Sequence, residues 1–154
     1  EDTSVEVKTE ETSFENKESS EVNNESMQEN VDNSTENENI DFGTSDFAKN
    51  ERLFTRYYRN DYKVTQNAVI NVAKKLGYEV VDTNDQFKEL LISGMTSDIT
   101  ISIIAVSYYE MAVDLHIVTH YLLSMGRGIN HIEEFYNELD RNLTFIHKGA
   151  RNNG

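Results

Sequence analysis

The chain has 154 residues and a formal net charge of -14, and it contains no cysteine, proline or tryptophan. That length suits one ordinary domain with an appendage, and the missing thiols exclude disulfides, thiol catalysis and cysteine-ligated zinc. No basic stripe exists to neutralise phosphates, so nucleic acid is excluded as a partner.

The first segment, residues 1–49, is built from Glu, Asn, Ser, Thr and Asp. Residues 1–50 hold 15 acidic and 3 basic side chains, a balance of -12, whereas 51–154 hold 13 and 11, a balance of -2. Val5, Val7, Phe14, Val22, Met27 and Val31 follow neither the helical nor the strand period. So few apolar groups cannot offset roughly 1–2 kcal/mol of backbone entropy per residue, and a disordered acidic tail is expected. A short linear motif around Ile40-Asp41-Phe42 is the functional alternative to a solvated spacer. The chain opens on Glu1 rather than Met, which is compatible with a removed signal segment or with a trimmed boundary. No apolar run approaches the ~18–20 residues of a membrane helix, so membrane attachment would need an anchor preceding Glu1.

Order is expected over residues 50–149, with a flexible end at 150–154. Leu53–Tyr58 reads as a strand, being rich in aromatic and β-branched residues. Asp61 offers a helix N-cap, Val64, Ala68, Val69, Val72, Ala73 and Leu76 fall at helical spacing, and Gly77 supplies the stop. Tyr78–Val81 and Phe87–Ser93 read as a hairpin around the turn formers Asp82–Asp85. Ile99–Val106 and Val113–His120 alternate in strand fashion and match as a long antiparallel pair joined near Tyr108–Glu110. Ser124–Gly128 reads as a loop. Asn130 with Glu133 resembles a capping box, and Ile132, Phe135, Tyr136, Leu139, Leu143 and Ile146 continue as one helical stripe to Lys148 and Gly149.

The order β-α-β-β-β-β-α predicts an α+β fold: an antiparallel sheet of four to five strands with both helices on one face. The expected core is Val69, Val72, Leu76, Ile101, Ile103, Val113, Leu115, Ile117, Phe135, Leu139 and Leu143.

A strand, then Asp61-Tyr62-Lys63-Val64 opening a helix, then Lys75-Leu76-Gly77-Tyr78-Glu79-Val80, a turn, a hairpin and a last helix resembles small bacterial lipoprotein domains of unknown function. These are similar to the helix-grip domains of outer-membrane assembly lipoproteins. The resemblance spans roughly residues 53–147 and brings no catalytic residues with it. It implies a non-enzymatic, extracytoplasmic, envelope-associated domain, with the polar tail as tether to a lipid-anchored cysteine that this chain lacks. Composition alone leaves a cytoplasmic location open.

No arrangement of residues resembles an active site, and no cofactor is expected. His116 and His120 share a strand face with Asp114, but residues four apart on a strand lie about 13 Å apart, too far for one zinc ion. Half-exposed sheet residues are the favoured reading. His131 and His147 read as structural, at opposite ends of the last helix. Gly126-Arg127-Gly128 lacks phosphate-loop spacing and reads as a mobile turn, with anion binding before a helix start as a minority alternative. Arg52, Arg56 and Arg59 with Tyr57, Tyr58 and Tyr62 form a basic, aromatic cluster, which is either an edge strand guarded by charge or a contact site through Arg56 and Tyr58.

If Ile101, Ile103, Leu115 and Ile117 face the helices, Ile104, Val106 and Val118 face away. Branched residues on an uncovered sheet face suggest a surface for another protein or a second copy of the chain. The alternative is a small-ligand pocket between helices and sheet, beneath Phe135 and Leu139.

Overall fold

The computed structural model describes residues 40–120 and 125–150. The tail expected over 1–39 and the end at 151–154 lie outside the described residues, as does Ser124 of the expected loop.

Helix α1 covers Tyr62–Lys75. Asp61 caps it as its sequence suggests, Oδ1 accepting from the Val64 amide at 2.8 Å and satisfying one of the donors that a helix start leaves open. Gly77, at φ 91°, turns the chain out of the helix, in a conformation that costs a residue with a Cβ. The buried stripe is Thr65, Ala68, Val69, Val72 and Ala73, while Val64 stands on the exposed side.

The α+β class holds, with an all-antiparallel sheet, but it has seven strands rather than four or five. They are β1 (Asp41–Gly43), β2 (Arg56–Tyr58), β3 (Glu79–Asn84), β4 (Glu89–Ser93), β5 (Ser97–Ser107), β6 (Glu110–Thr119) and β7 (Phe145–Lys148). The spatial order is β3-β4-β5-β6-β2-β7, with β1 pairing β6 beyond the end of β2. The β5–β6 hairpin is the backbone of the sheet, running from Ser97 opposite Thr119 to Ser107 opposite Glu110. Strand β3 extends through the expected turn to Asn84, and the reversal falls at Lys88, whose φ is 59°.

Three sequence expectations change. Residues 40–49, assigned to the tail, include β1: Ile40 and Thr119 exchange bonds through both backbones and the Thr119 hydroxyl, and Ile40 is buried. The Ile40-Asp41-Phe42 segment is thus part of the sheet rather than a free linear motif. Composition averages hide such a piece, because three residues gain their hydrogen bonds from a strand seventy positions away. The expected strand Leu53–Tyr58 forms only over Arg56–Tyr58, as β2, and Leu53 ends a short 3-10 turn, Glu51–Leu53, with Asn50 as its cap. The last helix, α2, covers Met125–Asn142. It starts five residues before Asn130, so Gly126-Arg127-Gly128 is helical rather than a turn. A Cβ at Gly128 would lie 3.0 Å from the Phe42 ring, so glycine permits that close approach. Asn130 turns to Arg52 instead of capping. The helix also ends earlier than its apolar stripe: Ile146 belongs to β7, which pairs with β2.

Both helices lie on one face. Val69 and Val72 of α1 and Ile132, Phe135, Tyr136 and Leu139 of α2 pack with Ile99, Ile101, Ile103, Val113, Leu115 and Ile117 in one cluster. Each such side chain contributes roughly 1.5–3 kcal/mol by leaving water. Every expected core residue is buried except Leu76, which packs at the margin. Lys75 and Glu138 join the two helices at 3.0 Å, and the Lys75 hydrogen bond, helped by Arg141, holds the Glu138 carboxyl below its usual range.

Candidate contact face

Because side chains alternate across a strand, burying Ile101, Ile103, Leu115 and Ile117 sends Thr100, Ser102, Ile104, His116 and Val118 to the opposite face. No described helix lies over that face. Ile104 and Val118 are 48% and 41% exposed and stand where the alternation predicted; Val106 is 54% exposed, but the register shift between Ala105 and Ser107 leaves it in a bulge, where alternation no longer sets its face.

They do not form one patch. Ile104 is paired with Ala112 and Val118 with Asp98, which places them at opposite ends of the hairpin, about 20 Å apart at 3.2–3.4 Å per residue. Ile104 and Val106 instead join the hairpin tip, Tyr108 and Tyr109, whose rings meet edge to face at 4.6 Å. Strand β4 pairs with β5 only over Asp98–Ser102, and its line ends at the bond from the Ile103 amide to the Lys88 carbonyl. Residues 104–107 therefore have β6 on one side and no described strand on the other. Residues 99–109 contain no charged side chain, whereas β3, a terminal strand, carries Glu79, Asp82 and a bulge, devices that discourage edge pairing. The tyrosines were missed as contact residues because a two-residue connection reads simply as a turn; the uncharged run was the available signal.

Away from the tip the face is acidic. Asp41, Glu79, Asp82, Glu89, Asp98 and Asp114 project from it, and among the described strand residues on this side none is Lys or Arg. Asp82, Asn84, Glu89, Leu91 and Thr100 line an open depression. His116 Nε2 lies 2.5 Å from Asp41 Oδ1 and His120 Nε2 lies 2.7 Å from Asp98 Oδ1. These are separate pairs, and among the described residues no group of three or more His, Asp or Glu side chains is placed to hold a metal ion. Asp114 instead accepts from the Thr44 and Thr55 hydroxyls at 2.8 and 2.5 Å, clasping the segment after β1 to the sheet.

Arg56 and Tyr58 are not contact residues. β2 is not an edge strand, because β7 pairs along its outer side, and both side chains point under α2. Arg56 is 5% exposed and binds Asp140 at 2.7 Å, with its guanidinium 4.6 Å above the Tyr136 ring. Tyr58 is fully buried and donates to the other Asp140 oxygen at 2.8 Å. Burial, followed by the neighbouring carboxylate, pushes the Tyr58 phenol far above its usual range, and burial does the same to Tyr136. His147 is on β7 rather than a helix and stacks on Tyr57 with centroids 4.3 Å apart.

Tyr57 donates to Asp46 at 2.8 Å. Partial burial, that hydrogen bond, and the charges of Asp46, Asp114 and Glu110 push its phenol from 10.0 up to about 12. An unfolded tyrosine loses its proton near its ordinary value, so the unfolded state binds fewer protons above that point and stability falls as pH rises further. We expect Asp46→Asn to bring the Tyr57 titration, followed by NMR of the ring carbons, back toward 10. An unmoved titration would remove Asp46 as a cause.

The expected ligand pocket would lie beneath Phe135 and Leu139, both fully buried; Phe135 meets Tyr78 edge to face at 6.4 Å. Among the described residues no helix is long and apolar enough to cross a membrane. No protein-family model matches this chain, and no curated protein matches it.

Proposed function

We propose that this chain is a non-enzymatic binding or scaffold domain, tethered through its acidic N-terminal segment, that meets another protein or a second copy of itself on its open sheet face. The observation that carries the reading is the uncharged, exposed group of Ile104, Val106, Tyr108 and Tyr109 at the tip of the β5–β6 hairpin, beside the open sheet face. Apolar side chains gathered at a strand edge that lacks a neighbour favour association. Among the described residues, the full burial of Phe135 and Leu139 gives the ligand-pocket alternative no support.

The test uses the full chain with Ile104→Asp and, separately, Val118→Asp, compared by sedimentation velocity across a concentration series. Ile104→Asp is expected to keep the melting temperature and abolish concentration-dependent association, with Val118→Asp having the smaller effect because it lies outside the tip patch. Association that survives Ile104→Asp unchanged would count against the tip as the contact. The envelope-tether part of the proposal draws on the resemblance to lipoprotein domains and on the polar composition of residues 1–39. A gene encoding a signal segment and a lipid-modifiable cysteine upstream of Glu1 would support it, and export assays of a tagged full-length product would decide it.

A further inference from the structure

Among the described residues, the pairs of Arg52 with Glu133, Arg56 with Asp140, Lys75 with Glu138 and Arg141 with Glu138 lie on the helix side or its rim. The open sheet face has the opposite character. Its carboxylates have no Lys or Arg among the described strand residues beside them, and Asp41 and Asp98 meet histidines there. Like charges gathered on one surface repel each other when the protein is alone and attract a complementary surface. The depression bounded by Asp82, Asn84 and Glu89 lies on the same sheet face as Ile104.

We infer that the occupant of this face is an extended basic protein segment in which aliphatic and Lys or Arg side chains stand two residues apart, on the same side of the strand, the aliphatic ones meeting Ile104 and the cationic ones the Asp82–Glu89 region. The inference rests on the contact-face reading and names its partner's chemistry. An extended segment suits the site because alternate side chains of a strand fall on one side, matching the alternation of the sheet beneath. Two copies can meet only through the uncharged tip, since pairing the acidic part of the face with itself would set like charges together.

The experiment titrates the full isotopically labelled chain with short synthetic peptides of equal length that repeat Ser-Lys-Ser-Val, Ser-Ser-Ser-Val or Ser-Glu-Ser-Val, named Lys-Val, Ser-Val and Glu-Val after the side chains they set on one side, following backbone amides by NMR. The Lys-Val peptide is expected to shift amides of Asp82, Glu89, Thr100 and Ile104, to weaken as salt is raised, and to weaken about tenfold when Asp82→Lys and Glu89→Lys are combined. Both positions are solvent-exposed, and an unchanged far-UV spectrum and melting temperature would establish that the double variant folds. Equal shifts of the face by the Ser-Val peptide would keep the contact face and overturn the basic partner. Shifts by Lys-Val confined to residues 1–39 would overturn it as well. No shift of the face by any peptide, together with a monomer at all concentrations, would overturn both readings.

Discussion

Replacing Asp140 with alanine is expected to destabilise the domain by about 3 kcal/mol. Arg56 is almost fully enclosed, so loss of its carboxylate leaves a buried charge facing Asn137 at 3.3 Å and the Tyr136 ring. Removing one member of a buried pair typically costs roughly 3–5 kcal/mol, and the low end applies because Asp140 is itself 28% exposed. Tyr58 would lose its acceptor in the same step. The midpoint of urea unfolding should fall accordingly, with a melting point about 10–20 °C lower. The double change Arg56→Met with Asp140→Leu should lie closer to the wild type, because it removes both charges rather than stranding one. A loss under about 1 kcal/mol in the single variant would mean that water reaches Arg56, and the account of β2 as an internal strand would need revision.

The second large effect separates adjacent residues. Ile103→Ala is expected to cost about 2–5 kcal/mol, since the side chain is 1% exposed beneath the helices and its removal leaves a cavity. Ile104→Ala, one position on, should change stability by no more than about 0.5 kcal/mol, as for other surface substitutions. Equilibrium denaturation of the two variants measures this directly. Equal losses would show that the face taken here as open is covered in solution, and the contact-face proposal would lose its basis.

How much of this was legible beforehand depends on how locally each element is determined. α1 was readable to its caps, because Asp61, the stripe from Ala68 to Ala73 and Gly77 act within a few residues of one another. The β5–β6 pair was readable as well, since alternation over Ile99–Ile103 and Val113–Ile117 leaves one register that buries a continuous face. From it followed the exposure of Ile104 and Val118. The ends of α2 were not readable. Gly126 and Gly128 look like loop residues until Phe42 packs on Gly128, and Ile146 keeps the helical period by coincidence while β7 pairs with β2. Arg56 and Tyr58 were misplaced for a related reason: an arginine beside tyrosines suits a surface equally well until Asp140 arrives from α2.

Composition and short-range periodicity were thus enough to determine the α+β class, the helix-bearing face and the acidic bias of the N-terminal segment, because burial pattern and charge are summed along the chain. Only the tertiary structure decided that Ile40–Gly43 joins the sheet, that Arg56 is internal, and that Val118 is remote from the tyrosine-tipped patch. Each of those outcomes depends on partners about 20 to 84 positions away, and pairing over such distances is set by which edges and charges remain unsatisfied once the core has formed.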